Sequence, residues 1–189
     1  LIEVKRVMKP NATIWVIGTY HNIYRIGKIM QDLGYWILND VIWVKTNPMP
    51  NWLGVRFTNS TETLIWAVKD KSVKKYTFNK EYAKKFGIGR IGANVWLLPI
   101  CQGEERIRDE SGKKLHSTQK PIELLKRVIL TSTKEGDLIL DPLAGTGTTG
   151  YVARALKRDF VMIEVNLKYV EGIVRRFQKP LIVKLEGFE

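Results

Sequence analysis

The stretch "LILDPLAGTGTTG", residues 138–150, decides the fold. An apolar run ends in Asp141-Pro142, and a loop of small residues follows: Gly145, Thr146, Gly147, Thr148, Thr149, Gly150. The run predicts a strand over 136–142, and the glycines predict a tight loop that opens straight into a helix over 146–159. "FVMIEV" (160–165) predicts a second strand, whose end carries Glu164, nineteen residues after Gly145. Taken alone this is a nucleotide-binding fingerprint. Glycines let the backbone approach a ligand, the helix N-terminus offers N–H groups, and the acid can accept hydrogen bonds from ribose hydroxyls.

The residues then discriminate among ligands. A nucleoside triphosphate needs Gly-Lys-Ser/Thr, and Thr148 stands where the lysine belongs. A nicotinamide dinucleotide needs chain beyond the acid, and 25 residues follow Glu164. S-adenosylmethionine has a ribose and an adenine but no phosphate, and its methionine part carries an ammonium. Asp141 at the strand end suits that cation and would repel a pyrophosphate. A tight glycine turn with no ligand stays open as the plain alternative.

Working outward, strands and helices alternate. "LIEVKRVMKPNA" reads as a helix end and a Pro-Asn turn, and "TIWVIG" (13–18) as a strand. A helix is predicted over 22–34, a strand over 35–46 bent near Asn39-Asp40, a proline-rich loop over 46–60 and a strand over 62–70. Region 71–115 is basic and weakly patterned, which predicts an insert or long functional loop. "KPIELLKRVILTST" (120–133) predicts an amphipathic helix with Pro121 in its first turn. A last helix is predicted over 166–178. The class is α/β with a largely parallel sheet.

The 189 residues carry a net charge of +12, which favours a polyanionic partner. From Lys69 to Arg90 there are eight cations against two acids, a net +6, with Tyr76, Phe78, Tyr82 and Phe86 interleaved. A solvated lysine-rich face is the competing explanation. The single cysteine, Cys101, rules out an intrachain disulfide or a Cys-rich metal site and fits a small buried hydrophobe in a reducing, cytoplasmic home. No apolar run reaches the roughly 18 residues of a membrane span.

Four segments resemble one family. "DPLAGTGTTG" is similar to the motif I loop of the amino DNA methyltransferases. "HSTQKP" (116–121) resembles the His-Pro-Thr-Gln-Lys-Pro signature of their beta class. "TNPMPNWLGVRFTNSTETLIWA" (46–67) resembles the adenine-N6 branch, and "VWLLPICQGEER" (95–106) fits too. The resemblance covers nearly the whole chain, catalytic side before cofactor side. It implies a Rossmann-like S-adenosylmethionine-dependent fold, incomplete at the N-terminus. Asp141, Pro142, Ala144, Gly145, Gly147 and Thr148 would line the methionine end of the cofactor. Glu164 would take the ribose hydroxyls, and His116, Ser117, Thr118, Gln119 and Lys120 would bring donors to the methionine carboxylate. The plainer role of "HSTQKP" is a helix start with Ser117 or Thr118 as N-cap.

Residues 1–70 are then the catalytic-side half, 71–115 a basic target-recognition insert and 116–189 the cofactor-binding half. Double-stranded DNA is the implied partner. Lys45, Asn47, Trp52 and Arg56 would meet it around the proline loop, with Phe57 also placed to stack, and Lys74, Lys75, Lys84, Lys85 and Arg90 in the basic stretch. The family's catalytic Asp/Asn/Ser-Pro-Pro-aromatic tetrad is missing from these residues; Asn47-Pro48-Met49-Pro50 only imitates it. The tetrad and two more strands are expected upstream of Leu1, so this chain alone is expected to be inactive and to need a complementing N-terminal piece or a homodimer. No metal is required. Cytosine-N4 methylation, a non-catalytic DNA-binding remnant, and a small-molecule or RNA methyltransferase are the rivals.

Overall fold

The run "LIWAV", residues 64–68, is apolar at every position because it lies in a strand covered on both faces. The computed structural model describes residues 1–88 and 92–180. It divides into two units, Leu1–Pro99 and Ile100–Glu189. The first contains α1 (Ile2–Val7), β1 (Thr13–Gly18), α2 (Ile23–Asp32), β2 (Trp36–Lys45), β3 (Thr61–Val68), α3 (Lys80–Ala83) and β4 (Val95–Leu98).

The strand order is β1-β3-β2-β4. β3 is antiparallel to both neighbours, and only β2 and β4 pair in parallel. The largely parallel sheet predicted from sequence is therefore corrected to a mixed one in this unit. The reason lies in the connections. α2 links β1 to β2 and lets them run the same way. Residues 46–60 hold no helix to carry the chain back, so β3 returns beside β2 in the opposite direction. β2 also bulges between Ile37 and Asn39, where the bend was placed.

β3 alternates between two cores. Ile65 and Ala67 pack with Ile23, Met30 and Tyr35 beneath α2, joined by Ile14 and Val16 of β1. On the other face Trp66 stacks on Trp15, with ring centroids 5.2 Å apart, and Tyr76 meets Trp66 edge-on at 5.6 Å. Phe86 and Trp96 extend this cluster. Tyr76, Phe78 and Phe86 of the basic stretch are thus anchors, while Lys71, Lys74, Lys75, Lys80, Lys84 and Lys85 are exposed.

The second unit holds a 3-10 turn (Gly103–Glu105), α4 (Ile122–Ser132), β5 (Leu138–Asp141), α5 (Thr148–Ala155), β6 (Asp159–Met162) and α6 (Leu167–Gln178). β5 and β6 are parallel, from Leu138↔Asp159 to Asp141↔Met162, with α5 as the crossover between them. α5 lies so close to β6 that a Cβ on Gly150 would come within 2.4 Å of Met162 Sδ. The segment 71–115, read as one insert from sequence, is shared: 71–99 folds with the first sheet and 100–115 with the second unit. α4 begins after Pro121 without a side-chain cap from Ser117 or Thr118. The Glu105 carboxylate accepts from the Ile122 N–H in their place. Among the described residues no helix is long and apolar enough to cross a membrane.

Two outcomes are expected. Gly87 has φ +91, and a Cβ there would lie 2.1 Å from the Ala93 carbonyl oxygen. Gly87→Ala should lower stability by about 3 kcal/mol, read as a shifted denaturant midpoint with unchanged slope. Cys101 is buried, and that burial, helped by Glu105, pushes its thiol up to about 11. It should resist a thiol reagent at pH 8 in the native protein and react once the chain unfolds.

Candidate functional site

Asp141 ends β5, and its Oδ1 accepts from the Leu143 N–H at 3.1 Å, which turns the chain. The loop is then tied to the end of β6. The Ala144 N–H donates to the Ile163 carbonyl at 3.0 Å, and the Ile163 N–H to the Asp141 carbonyl at 2.9 Å. Gly145 and Gly147 take φ +55 and +69, conformations that only glycine adopts without strain. Gly147 is the N-cap of α5, so the first-turn amides of Thr148, Thr149 and Gly150 have no carbonyl one turn earlier in the helix to accept from them.

Glu164 closes this arrangement. Its Oε2 accepts from the Gly145 N–H at 2.7 Å and its Oε1 from the Asn166 N–H at 2.9 Å. The Asn166 bond, with the Gly145 bond behind it, holds the carboxyl below its ordinary value against the opposing effect of burial. Two carboxylates, Asp141 and Glu164, therefore sit at the strand ends on either side of the glycine loop, which leads into the open first-turn amides of α5. That donor set suits a ligand with an ammonium and ribose hydroxyls and disfavours a chain of phosphates. Ala144 and Thr148 are buried.

The "HSTQK" residues divide. The His116 ring abuts Gly145, 3.7 Å from where a Cβ would stand, and packs against the Tyr169 ring at 4.8 Å. Its Nδ1 accepts from the Thr118 N–H at 3.1 Å. Ser117 and Thr118 are exposed and Lys120 is half-buried. Gln119 is 7% exposed and faces inward. Its amide donates to the Glu105 carbonyl at 2.7 Å and accepts from the Ile107 N–H at 2.9 Å. Its role in the structure is that of a strut between two segments.

The first unit presents a different surface. The chain leaves the carboxyl end of β2 into the loop 46–60, where Trp52 is 86% and Phe57 98% exposed, beside exposed Met49, Leu53 and Val55. Asn51 Nδ2 donates to the Arg56 carbonyl at 2.6 Å, and Arg56 Nη1 donates to the Tyr20 hydroxyl at 3.3 Å. Tyr20 lies just beyond β1, so the same sheet edge carries both. Asn47 is half-buried. Lys45, predicted as a DNA contact, is instead held in a nearly buried ion pair with Glu62 at 3.1 Å. The apolar surroundings of β2 and β3 leave its ammonium that carboxylate in place of water. Lys74, Lys75, Lys84 and Lys85 are exposed, and Arg90 lies outside the described residues.

Three residues escaped the sequence reading: Glu105 at the start of α4, Tyr169 against His116, and Arg176 beneath the glycine loop. Arg176 left a signal. It falls on the face of α6 with Gly172 and Ile173, and a cation at helical spacing among small and apolar residues is expected to have a buried acceptor.

Comparison with known proteins bears on all of this. A family model described as DNA methylase, covering the N6 and N4 methyltransferases, matches residues 1–175. Type II methyltransferase M.HinfI of Haemophilus influenzae is 52% identical over 179 residues, 95% of this chain and 50% of that protein. Type II methyltransferase M2.LlaDCHI of Lactococcus lactis subsp. cremoris is 44% identical over 173 residues, 92% of this chain and 62% of that protein. The chain thus spans about half to three-fifths of the length of these curated relatives. Among solved structures, the M1.HpyAVI–SAM complex superposes with a TM-score of 0.74 at 31% identity, covering 92% of this chain and 78% of that one. The cytosine-N4-specific PvuII DNA methyltransferase shares the fold at a TM-score of 0.76 and 20% identity, covering 95% of this chain and 68% of its own. With the family match running through nearly the whole sequence, from α1 into the last helix, the chain belongs to the N6/N4 family of DNA methylases.

Proposed function

We propose that the chain carries the cofactor-binding and DNA-gripping parts of a site-specific DNA methyltransferase that moves a methyl group from S-adenosylmethionine to adenine N6. One observation carries the cofactor assignment: two carboxylates, Asp141 and Glu164, bracket a glycine loop that has no lysine and leads into the open first-turn amides of α5. Asp141 offers the ammonium of the methionine part an anion. Glu164, held ionised by its two amide donors, has lone pairs left for the ribose hydroxyls. His116 lies against Gly145, and exposed Ser117 and Thr118 add hydroxyls for the methionine carboxylate. Leu143 and Val165 are exposed apolar residues beside the two carboxylates and can cover the adenine. When bound, the cofactor supplies an electrophilic methyl on a sulfonium.

The DNA assignment rests on the first unit. Exposed lysines of the 71–85 stretch stand over aromatic anchors, and the loop 46–60 lifts Trp52 and Phe57 into solvent. Aromatic faces of that kind hold an extrahelical base, each worth about 1–3 kcal/mol. The likeness of residues 46–67 to the adenine-N6 branch supports adenine over cytosine.

Calorimetric titration tests the cofactor. S-adenosylmethionine and S-adenosylhomocysteine should both bind and a nicotinamide dinucleotide should not. Asp141→Asn should weaken both by about tenfold, because both carry the ammonium. Binding of the dinucleotide alone would overturn the assignment. For DNA, affinity should fall steeply with salt, and Lys74→Ala with Lys75→Ala should flatten the log–log slope by about two. An unchanged slope would make the lysines a solvated face only. Nucleoside mass spectrometry of DNA methylated by the whole protein should show N6-methyladenine; N4-methylcytosine would assign the other base.

A further inference from the structure

Arg176 is a buried cation that the cofactor and DNA assignments leave without a task. It is 4% exposed, on the inner face of α6. Its Nη1 donates to the Thr146 carbonyl at 3.1 Å and to Thr148 Oγ1 at 2.9 Å. The guanidinium lies over the Tyr151 ring, 4.4 Å from its centroid. Among the described residues no carboxylate comes within ion-pairing distance of it; Glu105 acts on it only from further off.

Burying an unpaired cation costs several kcal/mol unless hydrogen bonds and polarisable faces replace water. Here the replacement comes from the glycine loop and the first turn of α5. Both acceptors flank Gly147, the left-handed N-cap of that helix. Gly147 has no side chain to fix its own geometry. Ile173, one turn before Arg176 on α6, closes the space where a Cβ would stand, 2.9 Å from its Cγ1. Turning the Thr146 carbonyl inward also aims the Gly147 N–H the opposite way, because the peptide is planar and trans. That N–H meets the Ala144 carbonyl at 2.7 Å and closes the loop. The guanidinium therefore holds the loop from below while leaving the following amides open above.

We infer that Arg176 is a positioning residue for the cofactor loop: its two hydrogen bonds hold Thr146 and Thr148 so that the α5 amides are pre-set for the ligand. This rests on the cofactor assignment above. A packing role and a donor role predict opposite orders of substitution. Met fills the space and covers Tyr151 but donates nothing. Lys donates to both acceptors but packs less well over the ring.

The test measures S-adenosylmethionine affinity of the full chain by calorimetry and amide hydrogen exchange of the ligand-free chain. Arg176→Met should weaken binding about tenfold or more, and Arg176→Lys should stay within about threefold of the unsubstituted chain. In Arg176→Met the amides of 145–150 should exchange faster while those of α4 and β6 keep their protection. Met equal to or better than Lys in affinity, with loop exchange unchanged, would overturn the inference. If the Met variant does not fold, Arg176→Gln takes its place; it keeps one N–H for Thr146 and should lose about threefold to tenfold, and no loss would overturn the inference. If the unsubstituted chain binds no S-adenosylmethionine, the cofactor assignment fails, and the exchange pattern still decides whether Arg176 sets the loop.

Discussion

The Gly145 and Asn166 amides converge on one carboxylate, Glu164, and so tie the end of β5 to the end of β6. That tie works with the Ala144–Ile163 and Gly147–Ala144 backbone bonds to hold a loop of glycines and threonines in one shape, against the large backbone freedom that glycine gives up on folding. Because the folded carboxyl titrates below its ordinary value, its stabilising effect is complete above the unfolded value and fades as pH falls through the depressed one. At neutral pH the carboxylate is ionised and the loop is closed.

Charge in the first unit is arranged on a different principle. The stretch after β3 interleaves lysines with aromatics, and the structure sorts them by side. Tyr76 and Phe78 contact Trp66, and Phe86 contacts Trp96, while the lysines between them remain in water. An extended basic segment with no anchors would lose a large ordering entropy on meeting a polyanion. Anchored by its rings, this one is ordered before contact. Lys71 over Trp36, at 5.1 Å, and Lys84 beside Glu81, at 2.9 Å, add weak local order at the surface.

Much of this was legible in the sequence because the signals are local. Hydrophobic spacing located β1 (Thr13–Gly18) and α6 (Leu167–Gln178) almost to the residue, and the strand–glycine–helix order located the loop. What sequence did not carry was direction and partnership. Periodicity reports that 62–70 is a strand but not that it runs antiparallel; that follows from a missing helix in 46–60. β4, Val95–Leu98, was lost because its four residues lie inside a basic, weakly patterned stretch with no strand–glycine–helix order around them. Lys45 looked like a surface cation because Glu62, its partner, is seventeen residues away on another strand. Ser117 and Thr118 looked like caps because the carboxylate that does the capping, Glu105, comes from a preceding loop.

Several of the most exposed apolar residues gather at one kind of position in each unit. In the first unit Tyr20 follows β1, and Met49, Trp52, Leu53, Val55 and Phe57 follow β2, at the carboxyl ends of strands that run the same way. In the second, Leu143 follows β5 and Ile163 and Val165 follow β6, again at carboxyl ends. Apolar side chains held in water are a cost that a fold keeps only where something else covers them. Open α/β sheets gather their ligands at that edge, where loops are free of the packing that fixes the strands. The second unit's edge adds two carboxylates and the first-turn amides of α5. The first unit's adds aromatic rings and an arginine, the chemistry of bases and phosphates. The same position in each sheet thus carries two different sets of side chains, set by what each loop brings to it.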